Sequence, residues 1–333
     1  RGPRNGEEVR DGQGRGCFER TVSDVTRMKT TTRLRELLRR PGAIVAPGVY
    51  DALSARICEL AGFEVLQHSG YGTAAVLLAQ PDVGLIGFGE MCAQVRNIAH
   101  AVAVPVVGDS DNGFGNAVNA SYTVREYLLA GAAGLFMEDQ VAPKRCGHMA
   151  GKQVVPRGEM MGKLKAALDA RNELDPDFVV MYRTDALAVN GLDDAIDRAK
   201  AAVDVGVDMI FVEALETRGQ MERVSKEIDA PLMLNLIEGG RTPLVSVRDA
   251  EAMGFKYIVP ALTSLYAAAG GMLYVMKKVR ECGVSDAYLD RLCVFGEFAK
   301  IVRLDDIRAK EDAYLPKDVL ESKYHGKKHI VGE

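Results

Sequence analysis

Residues 105–139 read PVVGDSDNGFGNAVNASYTVREYLLAGAAGLFMED and contain one full unit of the fold. PVVGDSD (105–111) is a short apolar run that ends in two aspartates. TVREYLLAGA (123–132) spaces its apolar residues as a helix does and closes on small residues. GLFMED (134–139) is a second apolar run, again ending in acids. Near-continuous apolar strands separated by a helix predict parallel pairing with both faces of the sheet covered.

The alternation continues in both directions. Upstream lie AIVAPG (43–48) and EVLQHSG (64–70); downstream lie FVVMYRTD (178–185), DMIFVEA (208–214), PLMLNL (231–236) and KYIVPA (256–261). Helical periods fill the gaps: DALSARICELAG (51–62), FGEMCAQVRNIAHAV (88–102), GLDDAIDRAKAAVDVG (191–206) and SVRDAEAMG (246–254). Several end in glycine, a common helix stop. Eight such units predict an α/β fold, a (β/α)8 TIM barrel, whose usual span is about 250 residues. The rival is an open doubly wound sheet, but no GxGxxG turn follows the first strand, which weakens its dinucleotide-binding form. TSLYAAAGGMLYVMKKVRECG (263–283) and DAYLDRLCVFGEFAKIVRL (286–304) are helical and exceed a minimal barrel. They are expected to cap it or to pack on a partner subunit.

Composition narrows the class. Of 333 residues, 47% are hydrophobic and 26% charged, as in a soluble globular protein with a full core. A net charge of −4 implies no basic face for nucleic acid. No apolar run approaches the ~20 residues of a membrane helix. Six scattered cysteines without a CxxC pair point to reduced thiols and a cytoplasmic setting, against disulfides and structural zinc. Residues 1–27 are rich in Gly and Arg and poor in large apolar residues, so they are expected to be disordered. Met28 opens MKTTTRLRELLRR, which looks like a natural start. That favours an upstream extension or cloning remnant over a targeting segment, although an Arg-rich mitochondrial leader is the alternative; Glu7, Glu8 and Asp11 count against it. The expected division is therefore the extension 1–27, a barrel with C-terminal helices over 28–315, and a tail over 316–333.

Barrel active sites lie at the carboxyl ends of the strands. There the sequence places Ser69 and Gly70, Asp109 and Asp111, Glu138 and Asp139, Arg183 and Asp185, Glu213, and Asn235 with Glu238 just beyond. Clustered carboxylates repel one another unless a cation sits among them. GDSDNGFGN (108–116) is no EF-hand, because no glutamate stands at its twelfth position and no helix precedes it. Hard oxygen donors suit Mg²⁺ or Mn²⁺, and the scarcity of histidine near these ends argues against zinc. PKRCGHMAG (143–151) lies in a long connection after the fourth strand, between Gln140 and Val154, with Gly147 and Gly151 as possible hinges. Long glycine-bearing loops at a barrel mouth are often lids. Lys144, Arg145 and His148 are expected to lower the Cys146 pKa by favouring thiolate.

These residues together resemble the isocitrate lyase/phosphoenolpyruvate mutase superfamily over about residues 32–315. The resemblance rests on KRCGH (144–148), the lyase branch's signature, and GDSDNGFG (108–115). Supporting it are PGVYDALSARICELAGF (47–63), SGYG (69–72), PDVGL (81–85), MEDQ (137–140), RTDA (183–186) and NLIEGGRTP (235–243). It implies a (β/α)8 barrel with helix eight exchanged between subunits of a dimer-of-dimers tetramer. It implies Mg²⁺ or Mn²⁺ attended by Asp109, Asp111 and Glu138, partly through water, and a small di- or tricarboxylate as substrate. Ser69, Gly70 and Tyr71 would hold the substrate carboxylate through hydroxyl and backbone amides. Asp82 would lie near the metal waters, Arg183 would face the oxyanion and carboxylate, and Glu213 and Asn235 would line the far side. Cys146 would be the acid/base, with His148 beside it; Tyr50, Lys144, Arg145, Gly147, Glu238 and Pro260 would surround the substrate.

The mutase and phosphonatase members lack a cysteine in this loop, and isocitrate lyases proper carry large insertions for which this chain has no room. HMAGKQVVP (148–156) and NLIEGGRTP look like the oxaloacetate hydrolase and dimethylmalate lyase branch; methylisocitrate lyases typically carry Phe where this chain has Gly239. The expectation is a carbon–carbon lyase acting on 2,3-dimethylmalate or a similar alkylmalate. The alternatives are an oxaloacetate hydrolase releasing oxalate and acetate, a 2-methylisocitrate lyase releasing pyruvate and succinate, or an inactive barrel scaffold.

Overall fold

Nine short parallel strands form the sheet of this computed structural model, which describes residues 28–324. In chain order they are β1 (Ile44–Val45), β2 (Gly48–Val49), β3 (Leu66–His68), β4 (Val106–Asp109), β5 (Gly134–Glu138), β6 (Val179–Thr184), β7 (Met209–Val212), β8 (Leu232–Leu236) and β9 (Tyr257–Pro260). Their spatial order is β1-β9-β8-β7-β6-β5-β4-β3-β2. β1 and β2 are two halves of one barrel strand broken at Ala46–Pro47. The Ala46 N–H donates to the Ile258 carbonyl at 2.9 Å, and the Pro47 carbonyl accepts from the Gln67 N–H at 3.1 Å. The same segment thus closes the sheet at both edges, so all eight expected strands are present and the fold is the TIM barrel.

Side-chain alternation with period two sorts each strand. Val107, Phe136, Val179, Met181, Met209, Phe211, Met233, Tyr257 and Val259 pack together inside the barrel. Their neighbours Leu135, Met137, Val180, Tyr182, Ile210, Leu232 and Leu234 face outward, against the surrounding helices. Helix Thr30–Arg39 closes the amino-terminal end of the barrel with Leu34 and Leu37. Arg35 on it reaches Asp208 at 2.9 Å. The opposite end is left for chemistry.

Beyond β9 the chain leaves the barrel. Helix Thr263–Cys282 buries only Val275, while Met272, Leu273 and Met276 are more than half exposed. Helices Phe295–Ile301, Leu304–Tyr314 and Lys317–Tyr324 follow, with no buried residue. The last of these falls within the expected tail. The expected disorder of residues 1–27 concerns positions outside the described residues. Among the described residues no helix is long and apolar enough to cross a membrane.

Candidate active site

The barrel's alternation decides which residues reach the mouth. Two positions beyond inward-facing Val107, Phe136, Met181, Phe211 and Met233 stand Asp109, Glu138, Arg183, Glu213 and Asn235. Each lies at or just past the end of its strand and is buried. Register brings Glu138 directly beside Arg183.

Arg183 is the hub. Its Nε lies 3.2 Å from Glu138 and donates to Asp185 at 2.9 Å, while Nη2 is 3.4 Å from Glu213. Its guanidinium also stands over the rings of Phe136 and Phe211, 5.9 and 5.3 Å from their centroids. His148 Nε2 faces Glu213 Oε1 at 3.0 Å, and His148 Nδ1 accepts the Arg241 N–H at 2.8 Å. Burial pushes the Glu213 carboxyl up, but Arg183 and His148 outweigh it and hold the group down at about 2.

The acids on the other side are arranged by backbone. Asp109 accepts the Gly70 N–H at 2.9 Å and the Asp111 N–H at 3.0 Å. Its carbonyl accepts the Tyr127 hydroxyl at 2.8 Å. Gly108 permits that approach, since a Cβ there would come within 2.6 Å of the Tyr127 ring. Lys144 reaches in from the loop and places Nζ 2.6 Å from both Asp82 and Asp111. Burial, with Asp109 and Asp82 nearby, still pushes Asp111 up to about 7, against the pull of Lys144. Glu138 Oε1 is buried without a partner, and burial pushes that carboxyl well up.

This donor set fits a small, hard divalent cation that keeps several waters. Its donors are carboxylate oxygens, one of them, Glu138 Oε1, is unpaired, and burial raises the carboxyls of Asp111 and Glu138. Among the described residues no group of three or more His, Cys, Asp or Glu side chains is placed to hold a metal ion by itself. A cation here would need water or substrate oxygens beside these carboxylates.

The loop after β5 is seated on the mouth. The Cys146 N–H donates to the Asp82 carbonyl at 3.0 Å, and Gln140 and Val154 pair across its base. Cys146, Gly147 and His148 line one cavity with Ser69, Tyr71, Asp82, Asp109, Arg183, Glu213 and Asn235. Phe136, Phe211, Met233, Ile237, Val259 and Leu262 supply its apolar wall. The Cys146 thiol runs opposite to the expected shift. Burial, helped by Glu213 and Asp82, pushes it up to about 11 against a hydrogen bond at His148 and the charge of Arg183. The flanking cations do not act as expected, because Lys144 is consumed by Asp82 and Asp111 and Arg145 points outward, exposed.

Of the other expected residues, Tyr50, Gly70, Glu238 and Pro260 lie off the cavity, and Ser69 lines it with its hydroxyl already engaged. Tyr50 is buried beneath Gly72. The Gly70 amide is committed to Asp109, and the Ser69 hydroxyl caps the next helix by accepting from Gly72. Glu238 is exposed and accepts from Thr263, and Pro260 is half-buried at the end of β9. Three further residues carry no role in the sequence reading. Gln140 and Lys152 hold the loop. His68 is fully buried on the cavity floor, bonded to Thr73 at 2.9 Å and pushed by burial down to about 4.

Comparison with known proteins agrees with this geometry. The family model described as phosphoenolpyruvate phosphomutase matches residues 34–280. The chain is 41% identical to 2,3-dimethylmalate lyase of Eubacterium barkeri, over 86% of this chain and 99% of that protein. It is 37% identical to 2-methylisocitrate lyase of Aeropyrum pernix, over 84% and 89%. Among solved structures, oxaloacetate acetylhydrolase in complex with 3,3-difluorooxalacetate superposes with a TM-score of 0.82 at 33% identity, covering 86% of this chain and 97% of that one. Phosphonopyruvate hydrolase in complex with oxalate and Mg²⁺ superposes at 0.79 and 30% identity, covering 87% and 100%. With a family model matching residues 34–280 and lyases of 37–41% identity aligned over most of both chains, the chain belongs to the phosphoenolpyruvate mutase/isocitrate lyase superfamily and is a lyase of it.

Proposed function

We propose that the chain cleaves the C2–C3 bond of a small alkyl-substituted 2-hydroxy dicarboxylate, with 2,3-dimethylmalate first, giving a 2-oxo acid and a carboxylic acid. The observation that carries the substrate class is the balance of charge and grease around the cavity. Arg183 and Lys144 are already paired, Arg183 with Glu138, Asp185 and Glu213, Lys144 with Asp82 and Asp111. The same cavity is lined by the apolar side chains of Met233, Ile237, Val259 and Leu262. A methyl group gains about 0.8 kcal/mol per buried carbon there, whereas a third carboxylate would be desolvated without a partner. This favours an alkylmalate over methylisocitrate.

Mg²⁺ or Mn²⁺, attended by Asp109, Asp111 and Glu138 with Asp82 nearby, would act as a Lewis acid toward the 2-hydroxy acid. Arg183 binds the charge that develops on oxygen. In a water-poor site such electrostatic stabilisation usually contributes more to the rate than any other single effect. A carboxylate at the mouth takes the 2-hydroxyl proton, the oxygen's electron pair forms the C2 carbonyl, and the C2–C3 pair passes to C3, releasing the 2-oxo acid and leaving a carbanion at C3. Cys146 delivers its proton to that carbon, a contribution of ~10²–10⁴-fold.

The test is a panel assay with Mg²⁺, scoring 2-oxo acid release from malate, 2-methylmalate, 2,3-dimethylmalate and methylisocitrate, and oxalate release from oxaloacetate. The largest kcat/KM is expected for 2,3-dimethylmalate; a larger value for methylisocitrate or oxaloacetate refutes the assignment. The apolar face of helix Thr263–Cys282 further supports a homotetramer built by helix exchange, and a monomeric mass by light scattering would refute it.

A further inference from the structure

The loop over the site ends in a lysine that the reaction does not use. Lys152 is buried, its side chain 2% exposed. Its Nζ donates to the Gly147 carbonyl and, at 2.7 Å, to Asp185 Oδ1. Asp185 is itself fixed. Its N–H donates to Asp139 at 2.9 Å, and its carboxylate accepts from Arg183 Nε at 2.9 Å and Nη2 at 3.2 Å. Asp139 is in turn held by the Tyr182 hydroxyl at 2.7 Å, the Thr184 hydroxyl at 2.8 Å and Arg198 at 3.3 Å.

The loop's entry carries a counterpart. Gln140 donates Nε2 to the Arg145 carbonyl at 2.7 Å and accepts the Arg145 N–H at 3.0 Å. Arg145 and Gly147 are the two neighbours of Cys146, so each side of the thiol is gripped by one side chain from the loop's base. An amine buried this deeply is tolerated only when charge and hydrogen bonds compensate it. With the loop seated, the Gly147 carbonyl and Asp185 together give that compensation.

We propose that Lys152 is a positioning residue that latches the loop closed and, through Asp185, ties the seat of Cys146 to the orientation of Arg183. The latch matters to turnover because the lyase reading requires Cys146 at the substrate. The closure itself is measurable without that reading.

The experiment uses the full chain with Mg²⁺, as wild type, Lys152→Met, Lys152→Arg and Gln140→Leu. The iodoacetamide rate at the Cys146 peptide is followed by mass spectrometry with and without oxalate, and steady-state constants are taken on the best panel substrate. Oxalate with Mg²⁺ should protect wild-type Cys146. Lys152→Met should abolish that protection and lower kcat by ~10²-fold, the scale of a displaced catalytic group, with KM changed less than about threefold. Lys152→Arg should recover part of both, and Gln140→Leu should lose protection in the same way. The proposal is overturned if wild type is not protected, or if Lys152→Met keeps protection. It is overturned equally if kcat falls only in proportion to the folded fraction. Should Lys152→Met not fold, retained protection in Gln140→Leu overturns it, and so does a folded Lys152→Arg protein that recovers neither protection nor kcat. Lost protection in a protein that turns over none of the panel would sink the substrate assignment and leave the latch standing.

Discussion

Gly147→Ala separates loop closure from folding. A Cβ at Gly147 would stand 2.5 Å from Arg183 Nη2 and closer still to Cγ and Cδ of Glu213. Ordinary contact lies near 3.5–4.0 Å, so the overlap is about 1 Å on two partners at once. Neither partner is the free end of a flexible chain: Glu213 is held by Arg183 and His148, and Arg183 by Glu138 and Asp185. Overpacking of this kind costs about 1–3 kcal/mol. Only the closed state carries that cost, because the open loop takes the methyl group away from the pair. At about 1.4 kcal/mol per factor of ten, closure and hence kcat should fall roughly 5- to 140-fold. Gly147 has no positive φ, so alanine adds no backbone strain and stiffens the unfolded chain by about 0.4–1 kcal/mol. The expected result is a lower kcat with an unchanged or slightly higher Tm. The measurements are steady-state kinetics on the best panel substrate and a thermal melt without ligand. A kcat within threefold of wild type would show that Gly147 need not approach Arg183 and Glu213 during turnover, and a fall in Tm of several degrees would show that the whole fold bears the cost.

Cys146→Ser should lower turnover by ~10²-fold or more while oxalate affinity, read by calorimetry, stays within a few-fold; near-normal turnover would remove the thiol from the chemistry. Chelation followed by metal titration should show that activity returns with Mg²⁺ or Mn²⁺, and full activity in metal-free protein, or a strict zinc requirement, would contradict the reading of Asp109, Asp111 and Glu138. Glu213 is held at about 2 against an ordinary 4.5, so its contribution to stability is present above about pH 4.5 and is lost as pH falls toward 2. Glu213→Gln should therefore flatten the fall of Tm between pH 5 and pH 3, and parallel curves for the two proteins would refute the assignment.

What the sequence made legible follows from periodicity. Strand alternation is a strict period of two, so once the runs ending in Asp109, Glu138, Arg183 and Asn235 are recognised, the side on which those groups emerge is settled. The first strand hid its break, because AIVAPG gives no sign that Ala46 pairs toward β9 while Pro47 pairs toward β3. Loops have no such period. Lys144, Arg145 and His148 are neighbours of Cys146 along the chain, yet Lys144 turns to two aspartates, Arg145 to solvent and His148 to Glu213. Charge counted along the chain therefore gives the thiol shift the wrong sign. Gln140 and Lys152 stay hidden for the same reason: a polar residue in a loop has no pattern to mark it, and its partner becomes visible only when the loop is folded back.

The raised thiol changes what the loop must do. A group that protonates a carbanion has to keep its proton until cleavage, and a cysteine held near 11 does so at neutral pH. The carbanion beside a carboxylate is a far stronger base, so transfer remains downhill. It leaves a thiolate in a site where burial, Glu213 and Asp82 all disfavour negative charge. The closed state that was favourable before transfer is strained after it, and the strain is relieved by lifting Cys146 toward water, where it regains a proton. On the proposed mechanism the chemistry therefore drives opening of the loop, and release of the carboxylic acid is coupled to reprotonation of the enzyme. Under that coupling a solvent deuterium isotope effect on kcat should persist in Cys146-containing variants whose cleavage step is fast, and it should shrink in Lys152→Met, where opening no longer works against a latch.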